Sequence, residues 1–168
     1  MKTASVLFVI FSSLAAFAGP GNIVVGDTGP AVAITQIHPD GSEAKESIYA
    51  PHGKTRFTMI EFSSITCGYC EMNVGPFNKL AQEISATTTS RIIEVDRDEA
   101  AVRQYVASHK ADMKVPLGLD LNRDADHAYG IEGTPTTYVL DSNNKVIYIH
   151  LGGPFEDADI AAIKALVK

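Results

Sequence analysis

A mostly apolar run passes directly into two closely spaced cysteines and then into a helical pattern. The run Phe57–Phe62 is typical of a central buried strand. After Cys67 and Cys70, apolar residues recur at helical spacing and predict a helix with one apolar face. Pro76 interrupts this stretch and is expected to kink the helix, because proline lacks a backbone donor. The apolar face consists of Val74, Phe77, Leu80, Ala81 and Ile84.

The rest of the chain alternates between strand and helix patterns. Strands are predicted at Val32–Ile37, Glu43–Ile48, Arg91–Val95, Val115–Leu119, Thr136–Leu140 and Val146–Leu151. Helices are predicted at Glu99–Lys110, Asp124–Tyr129 and Asp157–Val167. This order begins with a β-hairpin, continues as β-α-β-α and a connecting helix, and ends as β-β-α. It predicts an α/β fold with a mixed sheet that helices cover on both faces.

The first residues are typical of an export signal. Lys2 gives a short positive region, Ala4–Phe17 is a run of apolar and small residues, and Ala16 to Ala18 match the small-x-small cleavage pattern. A membrane span needs about 20 apolar residues, and this run is shorter. We therefore expect a signal peptide at residues 1–18, cleaved after Ala18, and a periplasmic protein without a stable membrane span; an uncleaved anchor is the alternative.

The composition fits one globular domain and argues against nucleic acid as a partner. Of 168 residues, 45% are hydrophobic and 20% are charged, which is ordinary for a globular protein. The formal net charge is -6 and the basic residues form no cluster, whereas phosphate binding needs clustered Lys and Arg. Residues 19–30, rich in Gly and Pro, are expected to form an irregular lead-in, and residues 31–168 a single domain.

Cys67 and Cys70 are the only cysteines of the chain. A bridge between them closes a very small loop and removes little entropy from the unfolded chain, so chemistry explains the pair better than stability does. The start of a helix favours the thiolate. We therefore expect Cys67 to be the exposed nucleophile and Cys70, one turn further on, to resolve the mixed disulfide. Strand, CxxC and helix together predict a thiol–disulfide oxidoreductase.

Metal binding is the main alternative for the two thiols. Zinc takes four protein ligands, or three and a water, and the histidines show no pair at ligand spacing. No metal or other cofactor is therefore predicted, although a copper-binding module that uses both thiolates stays open as an alternative. A peroxidase is not favoured, because Cys67 lacks the Pro-x-x-x-Thr-x-x pattern that precedes the peroxiredoxin cysteine. The histidines are His38, His52, His109, His127 and His150.

Glu61 is an acid inside an otherwise apolar strand, six residues before Cys67. A buried carboxyl group is costly unless it is paired or neutral, so burial would raise its pKa. One interpretation places Glu61 beneath the cysteines, where it relays the proton of Cys70. The other makes it a residue at the strand end that reaches solvent or pairs with a lysine.

A second element of the predicted site is the segment Gly133-Thr134-Pro135, where a proline opens a strand. We expect a cis bond between Thr134 and Pro135 that faces the cysteines and leaves the backbone of Thr134 open to an extended substrate. The alternative is an ordinary proline at a strand edge. Gly68 and Tyr69, between the cysteines, complete the predicted substrate-binding residues.

The chain resembles the TlpA/ResA-like branch of the thioredoxin superfamily from Gly26 to Gly153. The resemblance implies an extracytoplasmic thioredoxin-like fold with a central mixed sheet flanked by helices and an N-terminal β-hairpin. It also implies Cys67 as nucleophile and Pro135 in cis, and Glu61 falls where thioredoxins carry a buried acid. The matching segments are Val25-Gly26-Asp27, Phe57–Phe62 with the CxxC, Val115-Pro116, Tyr129-Gly130-Ile131, Gly133-Thr134-Pro135-Thr136-Thr137, and Leu140-Asp141 to Gly152-Gly153.

The sequence also departs from that branch. Thr66 stands where thioredoxins often carry Trp, and Pro76 follows Cys70 by six residues instead of five. Many TlpA/ResA-like reductases carry Glu three residues after the second cysteine, where this chain has Asn73. The acid-assisted mechanism of those reductases therefore does not transfer to that position.

The active-site motif Ile65-Thr66-Cys67-Gly68-Tyr69-Cys70, with Thr134 before the proline, looks more like that of bacterial periplasmic disulfide isomerases. The predicted activity is disulfide exchange with protein thiols and disulfides, as a reductase that a membrane-bound or exported redox partner recharges. A disulfide isomerase stays open as an alternative.

Overall fold

A computed structural model describes residues 23–49, 51 and 53–168 of the chain. The predicted signal peptide, its cleavage after Ala18, the first four residues of the predicted lead-in and His52 lie outside the described residues. Within the described part, no helix is both long enough and apolar enough to cross a bilayer.

Seven strands and four helices follow one another in the predicted order. The strands are β1 (Ala33–Ile37), β2 (Glu43–Ser47), β3 (Phe57–Ser63), β4 (Thr88–Glu94), β5 (Leu117–Leu119), β6 (Thr136–Leu140) and β7 (Val146–Leu151). The helices are α1 (Gly68–Glu83), α2 (Glu99–Ser108), α3 (Asp124–Tyr129) and α4 (Asp157–Leu166). The predicted types and order are confirmed, and the main differences lie at the element ends.

Two of these ends differ from the sequence expectation for local reasons. β4 begins at Thr88, three residues before the predicted Arg91, because all seven of its residues pair with β3. β5 begins at Leu117 instead of Val115, since the intervening Pro116 has no backbone N–H to donate.

The strands form one mixed sheet in the order β2-β1-β5-β4-β3-β6-β7. The pairs β3–β4 and β4–β5 are parallel, and the other neighbouring strands are antiparallel. The N-terminal hairpin β1–β2 joins this sheet through β1, which pairs with β5. The strand that leads to the cysteines, β3, therefore lies between β4 and β6, inside the sheet.

Helices cover both faces of the sheet, as the sequence predicts. On one face, α1 and α4 pack against alternate residues of the strands through side chains such as Phe77 and Ile163. On the other face, α3 contributes Ala125 and Tyr129 to a second apolar cluster. α2 packs through Val102 against the ends of β1 and β5. The central strands are thus buried on both sides, which fixes the position of the segment that follows β3.

Candidate active site

The cysteines occupy the junction between β3 and α1. Cys67 is the residue that caps the N-terminus of α1, and its sulfur accepts a hydrogen bond of 3.2 Å from the backbone N–H of Cys70. The two residues form a disulfide with Cα atoms 5.2 Å apart. Cys67 is partly exposed, whereas Cys70 is 2% exposed. Only one of the two sulfurs is therefore accessible to a partner molecule.

The short link between β3 and α1 is held by a carboxylate at the end of β4. Asp96 accepts hydrogen bonds from the backbone N–H of Ile65, at 2.9 Å, and from the hydroxyl of Ser64, at 3.3 Å. The N–H of Cys67 in turn donates to the carbonyl oxygen of Ser64 at 3.0 Å. These contacts fix the direction in which the chain enters α1, and so the position of the first sulfur.

The segment before β6 lies against the exposed sulfur. The carbonyl oxygen of Thr134 is 3.4 Å from the Sγ atom of Cys67, and the bond between Thr134 and Pro135 is cis. A disulfide sulfur has no proton to donate, so this contact becomes a hydrogen bond only when Cys67 is a thiol. The sequence-predicted residues Thr134 and Pro135 are thus brought to the cysteines.

Gly68 and Tyr69 lie on the outer side of the same junction. Both are exposed, Tyr69 by 60%. Apart from its chain neighbours and its own helix backbone, a Cβ atom placed on Gly68 would meet no heavy atom of the described residues within 4 Å. Met72, one turn later on α1, is also 60% exposed. Met72 was not predicted from the sequence, although an apolar residue on the outer face of an active-site helix is a detectable signal. The first two turns of α1 therefore expose two large apolar side chains.

An apolar cavity of about 690 Å³ opens on the other side of Thr134. Its wall combines the beginning of the described chain, Val24 and Val25, with Ile149 and Leu151 of β7. Sequence analysis could not find it, because the wall joins segments that are far apart in the chain.

Glu61 is buried between β3 and α1 and does not reach solvent at a strand end. It is 1% exposed, and its Oε2 atom accepts hydrogen bonds from the Nδ2 group of Asn73, at 2.5 Å, and from the hydroxyl of Thr137, at 3.3 Å. Burial raises the pKa of Glu61 to about 8. The alternative of a residue that reaches solvent or pairs with a lysine is therefore wrong, because α1 and β6 close over this carboxyl group.

Asn73 connects the buried acid to two other parts of the fold. It is fully buried one turn after Cys70, and its side-chain oxygen accepts a hydrogen bond of 2.8 Å from the backbone N–H of Phe155. In the sequence, Asn73 is visible only as a departure from a family pattern, and its bridging position was not predicted. The signal was its spacing of three residues from Cys70, which places both side chains on one helix face.

A second buried acid, Glu94, was also missed. It ends β4 and is 2% exposed, and burial raises its pKa to about 8. The available signal was an acid after two apolar residues of a predicted core strand, the same kind of signal that identified Glu61.

A known protein family matches this chain over most of its length. The family model described as Redoxin matches residues 24–166, which is most of the chain. The chain belongs to the Redoxin family. This redoxin is a thiol–disulfide oxidoreductase with Cys67 and Cys70 as its cysteine pair, and the predicted TlpA/ResA-like resemblance is confirmed.

Two relatives are named thiol–disulfide oxidoreductase ResA. The protein from Bacillus thuringiensis subsp. konkukian is 26% identical over 125 residues, which cover 73% of this chain and 67% of the relative. The protein from Bacillus anthracis is 24% identical over 133 residues, which cover 78% of this chain and 72% of the relative.

Solved structures confirm the predicted thioredoxin-like fold of this redoxin. The thioredoxin domain of a thiol–disulfide oxidoreductase from Bacteroides vulgatus superposes with a TM-score of 0.69 at 18% identity, covering 88% of this chain and 100% of that one. AhpC from Mycobacterium tuberculosis superposes with a TM-score of 0.70 at 20% identity, covering 87% of this chain and 94% of that one. Because these sequence identities are low, the two structures support a shared fold and nothing more specific.

Proposed function

We propose that this redoxin is exported to the periplasm and reduces disulfide bonds of protein substrates, with Cys67 as the nucleophile and Cys70 as the resolving thiol. The observation that carries the proposal is the unequal exposure of the two sulfurs at the start of α1. Cys67 is accessible and caps the helix, where backbone N–H groups and the helix dipole stabilise a thiolate. Cys70 is shielded from any bulky partner.

The proposed reaction begins from the reduced pair. The Cys67 thiolate attacks one sulfur of the substrate disulfide, so a mixed disulfide forms and the other substrate sulfur leaves as a thiolate that takes up a proton. Cys70 then loses its proton and attacks the Cys67 sulfur, which releases the second substrate sulfur. The substrate gains two electrons, and the enzyme ends in the Cys67–Cys70 disulfide state. A membrane-bound or exported redox partner supplies two electrons and restores both thiols.

Glu61 is the proposed proton acceptor for Cys70. Its pKa of about 8 is close to that of a free thiol, so a proton moves between the two groups at little cost. The hydrogen bonds from Asn73 and Thr137 stabilise the carboxylate after it has released its proton.

The substrate is proposed to lie across Thr134 as an extended strand. Thr134 contacts the reactive sulfur through its carbonyl group, and an extended chain pairs with exposed backbone groups at such a place. Gly68 leaves room beside Cys67, and the exposed Tyr69 provides apolar surface next to it. Pro135 is itself buried and contributes through the cis bond to Thr134. An apolar side chain near the target cysteine would enter the cavity behind Thr134.

Parallel assays of insulin reduction and of scrambled-ribonuclease refolding test the proposed direction. We expect insulin reduction to be the faster activity, Cys67→Ser to abolish it, and Cys70→Ser to accumulate mixed disulfides with substrate. The reduction potential of the pair, from thiol alkylation across glutathione buffers, locates the enzyme on the reductase–oxidase scale. Fractionation of cells that express the full chain tests export.

Three outcomes would contradict the proposal. Full insulin reduction by Cys67→Ser would exclude the nucleophile, and ribonuclease refolding without insulin reduction would indicate an isomerase. Tight Cu(I) binding by the reduced protein, without any disulfide exchange, would indicate the copper-binding module instead.

A further inference from the structure

The proposed reaction leaves a second buried carboxyl group without a role. In the parallel pair β3–β4, Glu61 is opposite Ile92 and Ser63 is opposite Glu94, so the two glutamates project from the same face of the sheet. Strand spacing and rise place their Cα atoms about 8 Å apart. Both side chains are buried, on the face of the sheet against which α1 packs.

The side chain of Glu94 lies next to the loop that precedes Cys67. Ser63, the backbone of Ile65 and the carboxylate of Asp96 all lie close enough to the carboxyl group of Glu94 to influence its pKa. Asp96 is partly exposed and itself holds Ile65. Among the described residues, the Oε2 atom of Glu94 and the Oε1 atom of Glu61 have no hydrogen-bond partner. Each acid thus keeps one oxygen free to carry a proton.

The other groups that face the two acids bring no compensating positive charge. From α2, Tyr105 lies close enough to interact with both glutamates, and its hydroxyl donates to Glu71 of α1 at 3.0 Å. His109 stacks on Tyr105 and lies 3.7 Å from the outer side of Glu71. Within the described part of the chain, no ion pair reaches Glu61 or Glu94.

We propose that Glu94 is a positioning acid coupled to Glu61, and that the two carboxyl groups carry at most one negative charge between them while Cys70 exchanges its proton. This inference rests on the proposed role of Glu61. Two carboxylates in one buried site cannot both ionise freely, so one releases its proton well before the other. Glu94 adds to the rise in the pKa of Glu61 in this way.

The coupling also gives the proton a way out of the interior. When Cys70 transfers its proton to the charged member of the pair, the pair becomes neutral. The proton then leaves through Glu94 toward Asp96 and solvent, because Glu94 lies between the more deeply buried Glu61 and the loop. In this transfer, only the bonds to the moving proton are broken and formed.

Carbon NMR of the protein labelled at the glutamate carboxyl carbon tests the coupling, in both the oxidised and the reduced state. In the unaltered protein we expect Glu61 and Glu94 to titrate in two steps at least about one pH unit apart. In Glu94→Gln, Glu61 should titrate in a single step with its midpoint lowered by about one unit, the size of a like-charge interaction at this distance. Glu94→Asp should keep the coupling, and the exposed Glu83→Gln should leave both midpoints in place.

The pH dependence of the resolving step separates this inference from the proposed function. It is measured as release of the second chromophoric thiol after the reduced enzyme reacts with an aromatic disulfide. Glu94→Gln should lower the midpoint of this step by the same unit. A Glu94 that titrates near the ordinary glutamate value, or a Glu61 midpoint unmoved in Glu94→Gln, would overturn the coupling. A resolving step unaffected in Glu61→Gln would refute the Glu61 relay instead.

Discussion

Replacing Glu61 by Gln should change how the stability of the protein depends on pH. The pKa of Glu61 is raised from 4.5 to about 8 in the folded state, because the carboxyl group is buried. Below pH 4.5 the folded and unfolded states both hold the proton, so the acid contributes no pH dependence. Between pH 4.5 and 8 only the unfolded state releases it, so stability falls as the pH rises.

The magnitude follows from one proton. Each pKa unit corresponds to about 1.4 kcal/mol, so Glu61 lowers the free energy of unfolding by about 3 kcal/mol between pH 5 and pH 7. Glu61→Gln removes this loss and keeps an oxygen that accepts from Asn73. Glu94, whose pKa is also raised to about 8, still contributes in the variant, although less than before, because the proposed coupling to Glu61 is lost. The free energy of unfolding of the variant should therefore depend less on pH than that of the unaltered protein, but should still fall as the pH rises.

Urea unfolding of the oxidised protein at several pH values between 5 and 8 measures this difference, with the midpoint compared at constant slope m. Glu83→Gln is the matched control, because Glu83 is exposed and pairs with Lys164. This contact lowers the pKa of Glu83, so Glu83 is not a neutral acid that releases its proton late in this range. If the curves for Glu61→Gln and the unaltered protein run parallel from pH 5 to pH 7, Glu61 is not a neutral buried acid, and the argument for its role as a relay fails.

Two further substitutions test the packing around the site. Asn73→Ala should cost about 1–3 kcal/mol at pH 7, because it leaves the buried N–H of Phe155 without a partner and the carboxyl group of Glu61 with Thr137 alone. It should also shift the midpoint of the resolving step, and Asn73→Asp would show whether a charge is tolerated there. Phe77→Ala should cost about 3–5 kcal/mol in urea unfolding, because the ring is fully buried against Phe155. Met72→Ala, on the exposed face of the same helix, should change stability by less than about 0.5 kcal/mol, and equal losses would contradict the burial described for α1.

The parts of the site that could be predicted are those whose signal is local in the chain. Cys67 and Cys70, the strand before them and the helix after them lie within one continuous segment, so spacing and periodicity were sufficient. Glu61 was found because an acid in an apolar strand is unusual wherever the strand lies. These features need no knowledge of what packs on them.

The parts that could not be predicted depend on pairing between distant segments. Whether Glu94 faces α1 or the opposite side is decided by its register against β3, since a shift of one residue reverses every side chain of a strand. Asn73 gains its role from Phe155, which lies 82 residues away in the chain. The cavity behind Thr134 likewise requires Val24 to meet β7. No local pattern encodes such contacts.

The position of the buried acid on the sheet has a consequence for the reaction. β3 pairs with β4 and β6 along its length, so the backbone of Glu61 is held by both neighbours. Asn73, in contrast, lies on the same helix as Cys70. Any displacement of α1 that accompanied opening of the disulfide would therefore change the hydrogen bond between Asn73 and Glu61 before it changed the sheet. In this arrangement the acid is anchored to the sheet, and its hydrogen bonding, and so its proton affinity, depends on the helix that carries the resolving thiol.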